Sequence, residues 1–145
     1  MYWLKLGLIL FWGAWFSIVF LTNAFSAMKA GGMLPPTWRF ASKNDEMVAK
    51  AVSIYAPPPW VPRFLFLGVM AWQLLAAALF WYALASSGGA GIVDLDAVNA
   101  ACGAGIALWA AFMIADEITI KYAMEQPHEL LFIAQLASLL VMHLT

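Results

Sequence analysis

From Leu6 to Met28 the chain reads LGLILFWGAWFSIVFLTNAFSAM, and no charged side chain occurs between Lys5 and Lys29. Wound as an α-helix at about 1.5 Å per residue, this stretch outreaches the roughly 30 Å hydrocarbon core of a bilayer. A secretory signal is the competing reading, because Lys5 precedes an apolar run that ends in Ala24, Phe25, Ser26 and Ala27. The apolar region of a signal is usually only about 7–15 residues long. The expectation is therefore a membrane anchor over residues 6–28.

Composition extends this reading to the whole chain. Of its 145 residues, 65% are hydrophobic and only 10% charged, against about 45–50% and about 25% in an ordinary soluble domain. A soluble fold of this size still shows water roughly 30% of its unfolded surface, and too few charges exist here to cover it. The net charge of -1, with no run of like charge, excludes the electrostatic footprint of a nucleic-acid binder. Cys102 is the only cysteine, so an internal disulfide and a cysteine-built zinc or iron–sulfur cage are excluded as well.

A charged connector follows over residues 29–62, long enough to contain structure of its own. Ser42-Lys43-Asn44-Asp45 reads as a capping box, with Met47, Val48, Ala51, Val52 and Tyr55 along one helical face and Glu46 and Lys50 on the other. This predicts a short amphipathic helix over about 44–55, lying on the membrane surface. Pro57-Pro58-Pro59 ends it, and Trp60 stands where an interfacial indole would. A second span is predicted over 63–85, closed by the turn Ser86-Ser87-Gly88-Gly89-Ala90-Gly91. Asp94 or Asp96 can cap a third span over 96–121. That span carries Ala100, Ala104 and, as the predicted packing face, Gly103, Ala107 and Ala111, since small residues four apart let helix backbones approach in lipid. Glu125-Gln126-Pro127 punctuates the chain, and a short fourth span is expected over 127–144.

The predicted architecture is thus all-α: one transmembrane domain over 1–145, an integral membrane four-helix bundle with a short amphipathic interfacial helix in its first connector. One side of such a bundle offers only Lys5, whereas the other has Lys29, Arg39, Lys43, Lys50, Arg63 and Lys121. By the positive-inside rule both termini lie on the non-cytoplasmic side, with the bacterial inner membrane as the expected location. The eight tryptophans divide between interfacial anchors, Trp3, Trp38, Trp60 and Trp81, and span positions such as Trp12, Trp15, Trp72 and Trp109.

Ionisable residues inside spans are functional candidates by default. Asp116, Glu117, Lys121 and His128 form the candidate polar or ion site. Adjacent on a helix, Asp116 and Glu117 point about 100° apart, and Glu117 faces Lys121 one turn on, which predicts an interfacial salt bridge. His128 and His143 lie at opposite ends of the fourth span, too far apart to share a metal or haem. Glu125-x-x-His128 matches half of a di-iron motif, but the second half and two further glutamates have no counterpart. Asn23, Gln73 and Asn99 are expected to bridge helices. No catalytic residue, metal site or cofactor is expected; bound lipid is.

In its arrangement the chain resembles a family of bacterial proteins known only as small four-helix integral membrane proteins of unknown function. The likeness covers most of the chain: Asn23 at the end of the first span, a connector with a small helix, a tryptophan before the second span, and Trp109 with Phe112 and Glu117 in the third. The family typically places a glycine before the acidic residue and an aromatic after it, where this sequence has Asp116 and Ile118. The resemblance implies a four-helix fold and no established activity. The leading functional expectation is a non-catalytic accessory subunit that packs against other membrane proteins or itself. A small transporter or proton-linked carrier using Asp116 and Glu117 is the rival. A quinone-site or membrane-enzyme subunit, with His128 or Glu129 lining a pocket, is the third.

Overall fold

The computed structural model describes residues 1–89 and 91–144, and all regular structure among them is helical. Helix α1 spans Tyr2–Ala30, α2 Asn44–Val52 with a 3-10 turn over Ser53–Tyr55, α3 Trp60–Ser87, α4 Leu95–Thr119 and α5 Tyr122–His143. By length and composition α1, α3 and α4 can cross a membrane. Helix α5 is 22 residues long, but Glu125, His128, Glu129, Gln135 and Ser138 make it less apolar.

The helix ends depart from expectation for identifiable reasons. Charges bounded the first predicted span, yet α1 runs through both Lys5 and Lys29 to Gly31, because a lysine ends a hydrophobic run without ending a helix. Trp60 opens α3 instead of preceding it: Pro62 is only the third helical residue, where an N–H has no intrahelical acceptor anyway. The predicted capping box does not form. Lys43 is the N-cap of α2, and Ser42 is drawn back onto α1, its N–H bonded to the Thr22 carbonyl and its hydroxyl to Asn23 Oδ1. Asp94, in contrast, does cap α4, its Oδ1 accepting the Ala97 N–H at 3.1 Å. Of the turn predicted after the second span, Ala90 lies outside the described residues, as does Thr145.

The largest shift concerns α5. The sequence predicts a start at Pro127, but the chain reverses at Ile120, a non-glycine residue at φ 56°, and the next helix begins at once with Tyr122. Pro127 therefore lies within the helix and takes away the N–H that the Ala123 carbonyl would otherwise accept.

Cross-helix hydrogen bonds fix the packing. Asn23 Nδ2 donates to Gln73 Oε1, Trp81 Nε1 to Ser17 Oγ, and the Tyr2 hydroxyl to the Ser87 carbonyl, so α3 runs antiparallel beside α1. Trp72 Nε1 reaches the Ala104 carbonyl at 2.8 Å and holds α3 to α4. Helix α5 descends the full length of α4 through Asp116–His128, Trp109–Gln135 and Asn99–His143. It then returns to α1, where Lys5 Nζ meets the Met142 carbonyl at 2.8 Å and Trp12 Nε1 meets Ser138 Oγ at 3.0 Å. At the centre the Phe16 ring stacks on Phe80 and Trp109, joining three helices.

The buried set includes Lys5, Asn23, Gln73, Asp116, Gln135 and Ser138, while Phe11, Ile18, Phe64, Leu74, Ile114 and Leu140 face outward. Water would favour the opposite distribution. Hydrocarbon removes the cost of the apolar exterior and rewards helices that satisfy their polar side chains internally.

Candidate functional site

Of the four residues expected to form a polar or ion site, the fold brings together Asp116 and His128. Asp116 is near the C-terminal end of α4 and His128 in the second turn of α5; the turn at Ile120 folds one back onto the other. His128 Nδ1 stands 2.5 Å from Asp116 Oδ2, and this is the sole ion pair among the described residues. Against an ionised carboxylate, which only accepts, Nδ1 would be the donor of this hydrogen bond. Phe112 covers the imidazole, its ring centroid 4.8 Å away. Asp116 as a residue is 8% exposed. Such a pair can hold, give up or take a proton, and it also ties the C-terminal end of α4 to the N-terminal end of α5.

Glu117 and Lys121 do not join it. Their predicted salt bridge presupposed one continuous helix, but α4 ends at Thr119 and the left-handed residue Ile120 turns the chain before Lys121. The Lys121 backbone N–H instead closes the helix on the Asp116 carbonyl at 2.8 Å, and Glu117 is exposed. Beside this end the Tyr55 hydroxyl donates to the Ile118 carbonyl, which fastens the 3-10 turn of the connector to α4.

A second polar cluster lies where α1, α2 and α3 meet. Besides binding Gln73, Asn23 accepts from both the Ser42 hydroxyl and Asn44 Nδ2, at 2.7 and 2.9 Å. Ser26 donates to Asp45 Oδ1 at 2.7 Å and Ser42 carbonyl at 2.8 Å. The expectation that Asn23 and Gln73 bridge helices thus describes the structure, with Asn23 also anchoring the connector. Asn99 meets His143 Nε2 at 2.8 Å on an exposed edge.

Within this chain the predicted packing face of α4 points outward. Gly103, Ala107 and Ala111 are exposed and turn away from the other helices of this chain; a Cβ on Gly103 would meet nothing within 4 Å. The close approach is made by Gly105, where an added Cβ would collide with the Gln135 side-chain amide. Gln135 is wholly buried and accepts the Trp109 indole N–H at 2.6 Å, while its own Nε2 has no hydrogen-bond partner among the described residues. Sequence reasoning overlooked Gln135 and Ser138, although with Met142 they recur at helical spacing on one side of α5. The role of Lys5 was overlooked as well. Its ammonium occupies the last turn of α5, where unpaired carbonyls and the helix dipole both favour a cation.

Among the described residues no three His, Cys, Asp or Glu side chains gather as a metal site. Trp3, Trp38, Trp60 and Trp81, the predicted interfacial anchors, are all exposed. No family model, curated protein or solved structure matches this chain.

Proposed function

We propose that this chain is a non-catalytic integral membrane subunit whose four long helices all cross the bilayer and whose α4 docks a helix of another membrane protein or of a second copy. The supporting observation is the outward row of Ala100, Gly103, Ala107 and Ala111, left uncovered by α1, α3 and α5. Small residues at this spacing suit the close backbone approach on which helix association in lipid depends. Support for a fourth crossing comes from the register of α5, which accompanies α4 from Asp116 to Asn99. Placing the basic connector in the cytoplasm of a bacterial inner membrane, with both termini outside, obeys the charge asymmetry. The α2 helix then lies at the cytoplasmic surface. In native membranes solubilised in mild detergent, the wild-type chain migrates in a larger assembly, and Gly103→Leu with Ala107→Leu releases it without lowering its unfolding temperature. A monodisperse wild-type monomer from the same membranes would refute the subunit reading.

The Asp116–His128 pair favours a second reading, a proton-linked carrier. That reading requires proton-coupled flux in proteoliposomes to disappear in both Asp116→Asn and His128→Gln. Flux unaltered by either substitution removes it. His128 and Glu129 line neither of the two clefts at the connector.

A further inference from the structure

At the connector end of the molecule an open cleft of about 410 Å³ lies between the last turn of α1 and the segment leading into α2. Lys29, Arg39 and Lys43 line it, together with Trp38, Asp45 and Glu46. A second cleft of about 620 Å³ shares Ala30, Asp45 and Glu46 with the first and continues along α3, adding Arg63, Phe66 and Leu67. None of the four cations takes part in an ion pair among the described residues. Asp45 is already engaged by the Ser26 hydroxyl at 2.7 Å, which leaves Glu46 as the one carboxylate without such a partner. Trp38 is fixed at the wall by edge contacts with Phe25 and Phe40.

We infer that these joined clefts hold the headgroup of a diacyl phospholipid of net negative charge. The phosphodiester sits among Lys29, Arg39 and Lys43, and the acyl chains descend the apolar wall of Phe66 and Leu67. The charge balance selects against a zwitterionic lipid, whose ammonium would add a further cation to a site where cations already outnumber carboxylates. The apolar wall distinguishes a lipid from a free anion. Basic clefts beside transmembrane helices on the cytoplasmic side are suited to anionic headgroups, because surface potential and local charge act together. The inference rests on the membrane placement proposed above but not on the partner helix.

The test is native mass spectrometry of the full-length chain in mixed micelles containing phosphatidylglycerol and phosphatidylcholine at equal amounts. The wild type retains phosphatidylglycerol by at least about tenfold, and Lys29→Gln, Arg39→Gln and Lys43→Gln combined reduce the ratio to near unity. Lys50→Gln with Lys121→Gln, which removes cations outside the clefts, leaves it unchanged, and Glu46→Gln raises it. Millimolar inorganic phosphate does not displace the lipid. Equal retention of both lipids, or a triple variant that still selects phosphatidylglycerol, overturns the inference. Displacement by phosphate alone does too, since it would reassign the site to a free anion. A chain found outside the membrane fraction would instead defeat the membrane placement itself, so the two failures are distinguishable.

Discussion

Two glycines two positions apart on α4 have opposite structural meaning. Gly105 admits the Gln135 amide where any Cβ would collide with it, whereas Gly103 faces open space. Gly105→Ala forces Gln135 to withdraw, and because that side chain is wholly buried it cannot swing outward and must release the Trp109 indole. The expected cost is about 1–3 kcal/mol, the usual range for overpacking a closed site. Thermal unfolding in detergent measures it, and the Trp109 indole N–H resonance should lose its hydrogen-bonded shift. Gly103→Ala leaves folding unchanged or raises stability by up to about 1 kcal/mol through helix propensity. An equal loss in both variants would refute the assignment of Gly105 as the contact residue. Sequence alone did not single out Gly105: a spacing of four identifies a stripe of small residues, and which side of the helix turns inward within the chain is set by the neighbours.

At the scale of the element, α4 shows how a cap can be legible while a helix end is not. Asp94 stood at a capping position in the sequence, and a cap is a local matter: a side-chain oxygen reaching an N–H three residues on. The Ala97 N–H holds its carboxyl below the ordinary value of 3.8, with a smaller contribution from the Ser86 hydroxyl. A carboxyl depressed in the folded state stabilises the fold above its unfolded value, and that contribution is lost as the pH falls through the folded one. The wild type should therefore lose more stability between about pH 5 and pH 2 than Asp94→Asn, whose cap does not titrate. Unfolding temperatures of the two across that interval check this, and parallel curves would exclude a capping charge. The far end of α4 was not legible, because Ile120 takes a left-handed conformation that its β-branched side chain disfavours. Nothing in its identity predicts that; the packing of α5 on α4 enforces it, and with it goes the expected Glu117–Lys121 bridge.

Closure of the whole molecule depends on residues far apart in the chain. Lys5 and Met142 belong to the two ends of the sequence, and their hydrogen bond joins the start of α1 to the last turn of α5. Lys5→Met preserves the apolar stem but strips the carbonyl of a charged donor, which should destabilise the fold by about 1.5–3 kcal/mol. Hydrogen exchange should rise first at the C-terminal turn of α5, and protection unchanged there would refute the closure. The sequence by itself determined that the chain is helical, that long uncharged runs alternate with polar connectors, and that those runs are long and apolar enough to cross a membrane. Those features follow from hydrophobicity summed along the chain, so they survive without knowledge of any neighbour. Tertiary structure alone decided that His128 and not Lys121 meets Asp116, that Gly105 and not Gly103 admits a neighbour, and that Asn23 anchors the connector. Each of these is a contact between segments, and its partner is chosen by helix rotation and register, quantities that no local run of residues encodes.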